Sequence, residues 1–196
     1  LTEAIHDVAV IGKVTFSSKH GPPGSPYTPV TECYMTWAVE INVTVQNQGN
    51  YTETFTLKVF YGNATGNYTV GISPASHSVT LTAGASTSKI FTWDVQDLAK
   101  IACTPYWTYT IYANASVVPD ETDKADNIRD GVVVKVKWHG DGSGDGKVGL
   151  PDLMILSMSY KPGTVIAPNY NPQADYSGDG PIGLPDLMIL SMNYKK

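Results

Sequence analysis

The feature that constrains this chain most is a passage near its C-terminus that is written twice. Asp141-Gly142-Ser143-Gly144-Asp145-Gly146-Lys147-Val148-Gly149-Leu150-Pro151-Asp152 returns 34 residues later as Asp175-Tyr176-Ser177-Gly178-Asp179-Gly180-Pro181-Ile182-Gly183-Leu184-Pro185-Asp186. Each copy runs on into Leu-Met-Ile-Leu-Ser-Met-x-Tyr-Lys. A repeat at such a period is a duplicated supersecondary unit, so this region is expected to fold as two like halves.

Each copy places oxygen donors at positions 1, 3 and 5, glycine at 6 and a carboxylate at 12. Hard cations take six to eight oxygens, and the glycine permits the turn that brings the backbone carbonyl at position 7 among them. The spacing therefore predicts two calcium ions. Asp141, Ser143, Asp145, Lys147 (carbonyl) and Asp152 are the expected ligands of one, and Asp175, Ser177, Asp179, Pro181 (carbonyl) and Asp186 those of the other. Magnesium fits worse, because it demands a small octahedral cage and keeps its waters. The apolar residues at position 8, Val148 and Ile182, suit a short pairing between the loops.

A short helix is expected after each loop. Pro151 and Pro185 stand where a first turn tolerates proline, and Asp152 and Asp186 stand where the helix dipole favours an anion. The same aspartate would then serve metal and helix. Apolar residues surround almost the whole of both helices, whereas a surface helix confines them to one stripe. A partner-binding surface is therefore expected at Leu150, Leu153, Met154, Met158, Leu184, Leu187, Met188 and Met192.

Residues 139 to 196 resemble the dockerin family, type I in layout, in which an aspartate closes each of two loop-helix units. The resemblance implies the same ligand set and a cohesin as partner. The sequence departs from the family's pattern in two ways: serine stands at position 3, and Leu-Pro stands at positions 10 and 11, where family members carry recognition residues.

Residues 1 to 138 read as a separate, mainly β domain. Val8, Val10, Val14 and Phe16 alternate with polar residues, as do Trp37, Val39, Ile41, Val43 and Val45. Further runs carry Phe55 to Tyr61, Phe91 to Val95, Trp107 to Ala113 and Val132 to Trp138. Period two broken by turn signals is the mark of a sandwich. The fold class expected is an immunoglobulin-like seven-stranded β-sandwich, with an eighth strand if Tyr68 to Ile72 pairs, followed by a small α module of two calcium loop-helix repeats. In that strand order Cys33 and Cys103 enter at the same end of opposite sheets, so a disulfide is expected; two buried free thiols are the alternative. A bridge closing that loop would stabilise by about 4 kcal/mol in the chain-entropy model.

The β domain is similar to the cell-adhesion-related CARDB domain of bacteria and archaea. The residues that carry the similarity are His6-Asp7-Val8-Ala9-Val10, Val43 through Asn47 to Gly49, Thr80 through Gly84, Phe91-Thr92-Trp93, and Glu121 through Asp126-Asn127. The similarity implies a sandwich used for adhesion or spacing at a surface. A Gly/Pro-rich insertion, Ser17 to Thr31, departs from it.

Charge and composition narrow the function. The net charge is −5, with no basic stripe, so nucleic acid is not an expected partner. No apolar run reaches the roughly 18 residues of a membrane span. Five Asn-x-Ser/Thr sequons (Asn42, Asn50, Asn63, Asn67 and Asn114) lie in the first domain and would accept N-glycans outside the cell. Calcium loops and a cysteine pair suit the same extracellular or cell-surface setting. A first residue of leucine is what a processed chain would show.

No catalytic residue is expected. His6, His20, His77 and His139 have no spacing suited to a transition metal or a triad, and no nucleophile elbow, phosphate loop or dinucleotide fingerprint occurs. The acidic cluster Asp120, Glu121, Asp123 and Asp126 reads as a solvated turn or as a third calcium site. Three binding roles follow: a self-assembling structural or adhesive element whose partner is another copy, an accessory domain docking on a cohesin, and a carbohydrate-binding module. The absence of an attached catalytic domain favours the first.

Overall fold

A computed structural model describes residues 3–18, 28–29, 31–34, 38–63, 66–95, 108–161 and 170–195. Among them the order of elements is β1 (Val8–Ser18), β2 (Thr28–Pro29), β3 (Glu32–Tyr34), β4 (Ala38–Asn47), β5 (Glu53–Asn63), β6 (Gly66–Tyr68), β7 (Ile72–Ser73), β8 (His77–Leu81), β9 (Ser86–Asp94), β10 (Thr108–Ala115), β11 (Ile128–Lys137), α1 (Leu150–Ser159) and α2 (Leu184–Asn193). One sheet runs β2-β1-β4-β9-β7; the other runs β3-β11-β10-β5-β6, with β8 also on β5. The protein is thus mainly β, in two sheets, as a sandwich requires. Four of these strands, β2, β3, β6 and β7, have only two or three residues.

The chain divides into two compact units. Unit 1 comprises Leu1–Phe16, Glu40–Trp93 and Tyr109–Val134; unit 2 comprises Ser17–Val39, Asp94–Thr108 and Lys135–Lys196. Unit 2 thus holds both repeats and also takes in the segment around β3.

In unit 1 the period-two pattern does what it predicts. Val8, Val10, Val14 and Phe16 are buried on β1, Ile41, Val43 and Val45 on β4, and Phe55, Leu57, Val59 and Tyr61 on β5. Trp93 on β9 stacks on Tyr61 of β5 at 4.5 Å and meets Tyr109 of β10 edge-on at 6.0 Å, so the two inner sheet faces share an aromatic centre. The stretch between β5 and β8 divides its pairing: Tyr68 pairs with Tyr61, while Ile72 pairs with Trp93 in the other sheet. No described helix is long and apolar enough to cross a membrane.

In unit 2, β3 pairs in parallel with the end of β11, Cys33 opposite Val136 and Tyr34 opposite Lys137. Sequence patterning does not reveal β3, because three residues are too few to display a period. Cys33 is a buried free thiol, and burial pushes its pKa up. Cys103, the other half of the expected bridge, lies outside the described residues, as do Trp37, Trp107 and His20.

Candidate metal centres in the C-terminal repeats

Around positions 1 and 12 the two loops make the same set of hydrogen bonds. In the first, the Asp141 carboxylate accepts the Gly144 N–H at 2.7 Å, the Ser143 hydroxyl at 3.2 Å and the Gly146 N–H at 3.4 Å. In the second, Asp175 accepts Gly178 N–H at 2.8 Å, the Ser177 hydroxyl at 3.4 Å and Gly180 N–H at 3.1 Å. Gly146 and Gly180, at position 6, have φ of 98° and 93°, a left-handed conformation that a side chain would strain.

The carboxylate at position 12 joins loop to helix. Asp152 accepts Ser143 N–H at 2.8 Å with one oxygen and Gly149 N–H, at the helix N-cap, at 2.7 Å with the other. Asp186 repeats this with Ser177 at 2.9 Å and Gly183 at 2.8 Å. Pro151 and Pro185 are the second helical residues rather than the first expected, because the helices begin at Leu150 and Leu184.

Asp141, Asp152, Asp175 and Asp186 are buried, at no more than 1 % exposure. Among the described residues no lysine or arginine pairs with any of them. Burial first, and then the charge of Asp152, pushes the pKa of Asp141 up to about 6 despite the donors at Gly144 and Ser143. Burial likewise brings Asp175 to about 6, against the hydrogen bond from Tyr170 and with the charge of Asp186. Two acids enclosed with one hydroxyl between them form an all-oxygen, anionic cradle, the chemistry a hard cation takes.

The third carboxylate of each expected set stands apart. Asp145 and Asp179 are exposed, and Asp145 accepts the N–H of Lys147 within its own loop at 2.9 Å. Among the described residues no three His, Cys, Asp or Glu side chains gather as a metal group. The residues fit calcium in donor type and in the enclosed pair at positions 1 and 12; Asp145 and Asp179 would complete the set by turning inward.

The position-8 residues Val148 and Ile182 are buried, and their carbonyls are taken crosswise. Lys195 N–H, past the end of α2, donates to Val148 O at 2.7 Å, and Lys161 N–H, past the end of α1, donates to Ile182 O at 3.0 Å. Each helix end thereby braces the other loop.

One difference between the copies is compensated inside the module. Position 2 is Gly142 in the first loop and Tyr176 in the second, and a Cβ on Gly142 would lie 2.6 Å from the Tyr176 hydroxyl. That buried tyrosine meets Tyr34 of β3 edge-on at 5.7 Å. The Tyr34 hydroxyl donates to Gln173 O at 2.7 Å, His139 Nε2 donates to Tyr176 O, and Lys135 Nζ donates to Gly144 O at 3.0 Å. Lys137, at 1 % exposure, is neutralised by Glu32 at 2.8 Å and lies over the Tyr34 ring. These supports, and the Tyr170 hydroxyl donating to Asp175 at 3.0 Å, fall outside the repeat and carry no sequence signal.

The helices expose less than their composition implies. Leu156 and Leu190 are buried, and Leu153 and Leu187 are half-buried. Leu150, Met154 and Met158 remain exposed along one line of α1, and Leu184, Met188 and Met192 along the matching line of α2. Of the sequon asparagines, Asn42, Asn50 and Asn67 are exposed, and Asn63 and Asn114 are half-buried.

No family model matches the sequence, and no curated protein does. Among solved structures the chain is similar to the crystal structure of the CARDB domain of the PF1109 protein from Pyrococcus furiosus in complex with di-metal ions. The identity is 18%, with 70% of this chain and 99% of that one covered and a TM-score of 0.43. The solution structure of the same domain gives 16%, 69%, 98% and 0.43. A β-glucosidase from Listeria innocua matches at 14% identity over 70% of this chain but 17% of its own, with a TM-score of 0.40.

Proposed function

We propose that this protein is a non-enzymatic extracellular structural or adhesive element whose C-terminal module, dockerin-like and loaded with two calcium ions, joins it to other copies of itself. The observation that carries this reading is the pair of matched apolar lines, Leu150-Met154-Met158 and Leu184-Met188-Met192, each on a helix that starts at one of the two repeated loops. Contiguous exposed apolar surface marks an interface. Calcium sets the geometry of that surface, because Asp152 and Asp186 belong at once to a loop and to the first turn of a helix.

Charge acts in the same direction. The module carries six aspartates against four lysines, so two ions change its net charge from −2 to +2, while residues 1–138 keep −3. Sedimentation velocity of the full chain tests the reading: large species with calcium should dissolve on chelation and should not form with Asp152→Ala plus Asp186→Ala. A calcium-loaded chain that stays monomeric at high concentration and captures a purified cohesin would replace this reading with the scaffold-docking one.

A further inference from the structure

Of the acidic cluster that reads as a solvated turn or as a third calcium site, Asp126 carries a buried oxygen with no hydrogen-bond partner. The 118–127 stretch runs beside the start of β1, where Val10 N–H donates to Asp126 O at 2.9 Å. Glu121, 4 % exposed, is the frame: its carboxylate accepts Val8 N–H at 2.8 Å, Asn127 Nδ2 at 3.1 Å and Val118 N–H at 2.9 Å. Its lone pairs are thus turned to structural use.

Asp7, Asp126 and Asn127 are different. Oδ1 of each is shielded from solvent and has no hydrogen-bond partner. Asn127 is 2 % exposed, and its amide is fixed among these groups, since Nδ2 donates both to Val8 O, next to Asp7, and to Glu121 Oε1. Its Oδ1 is therefore a buried acceptor whose orientation is set. Enclosed polar atoms in folded proteins nearly always have a partner, and an exception calls for a bound water or ion.

We infer that Asp7, Asp126 and Asn127 hold a third calcium ion, within unit 1 and independent of the repeats. The donors are two carboxylate oxygens and one amide oxygen, a hard set that excludes the nitrogen- and sulfur-seeking metals. Calcium tolerates an irregular shell completed by carbonyls and water, which magnesium does not. Burial, followed by the charges of Asp126, Glu121 and Asp123, raises the pKa of Asp7, and burial followed by Asp123 raises that of Asp126. A divalent ion relieves that repulsion.

Ion counting by native mass spectrometry on the full chain in calcium tests this. The Asp7→Asn plus Asp126→Asn variant should hold one ion fewer than the unaltered chain. A chain with its loops disabled by Asp152→Ala plus Asp186→Ala should still hold one ion, and calcium should raise the melting temperature of its β unit. Equal counts in the first pair, or no bound ion in the loop-disabled chain, would overturn the inference and show that water or a proton shared by Asp7 and Asp126 satisfies these oxygens. Because the two sites share no residue, failure here leaves the assembly reading standing.

Discussion

The interior of unit 1 and the interior of the C-terminal repeats are built from opposite materials. Unit 1 closes over Trp93, Tyr61, Tyr109, Phe91 and rows of valine and isoleucine. At about 25 cal/mol per Å² of apolar area removed from water, such a core supplies its own driving force. The repeats bury Val148, Leu156, Ile182 and Leu190, but also four aspartates with no cation beside them among the described residues. Buried charge is costly unless paired. The first region draws its stability from apolar contacts, and the second is expected to draw it from bound calcium.

The largest expected effect follows directly. At free calcium about a thousand times the dissociation constant, each loop gains roughly 4 kcal/mol, which Asp152→Ala plus Asp186→Ala should remove from the module while the melting of the β unit stays in place. Trp93→Ala reverses the experiment: a loss of about 3–5 kcal/mol in the β unit is expected from denaturant unfolding, with the calcium stoichiometry of the loops unchanged. If either change destabilises both regions equally, the contrast fails.

Much of this contrast is legible in the sequence. The strands of unit 1 announce themselves by alternation, and the loops by a donor spacing repeated in full, so Asp152 and Asp186 stand in the first helical turn as expected. Three things are not legible. Strand β3 is too short to display a period. Lys135, Tyr34 and Tyr170 reach the repeats only through the fold, and Asp7 feels the charge of Asp126, which lies near the other end of the β domain's sequence. The burial of Leu156 and Leu190 depends on how two identical helices are packed, which composition does not reveal.

Smaller effects sharpen the picture within the repeats. Gly142→Ala should cost about 1–3 kcal/mol, because its methyl meets the Tyr176 hydroxyl, and differential scanning calorimetry should show that loss in the module's transition. Titration gives a sign. The folded pKa values of Asp141 and Asp175 lie near 6, above the ordinary 3.8, so without metal the fold penalises their charged forms and stability rises as pH falls from about 6 toward 3.8. With calcium the sign reverses, since protons compete with the ion, and calorimetric affinity should weaken as pH falls through about 6. Met158→Ser plus Met192→Ser should change stability by no more than about 0.5 kcal/mol and still abolish the large species in sedimentation.

Hydrogen exchange followed by mass spectrometry on the full chain, in calcium and after chelation, tests most directly whether calcium orders the loops and helices of the repeats while the central strands of the β unit hold without it. The decisive amides are Ser143, Gly144 and Gly149, with Ser177, Gly178 and Gly183, all donating to the four enclosed aspartates. Chelation should release their protection and that of α1 and α2 while β4, β9 and β10 stay protected. Protection of the loops that is the same with and without calcium would contradict the account.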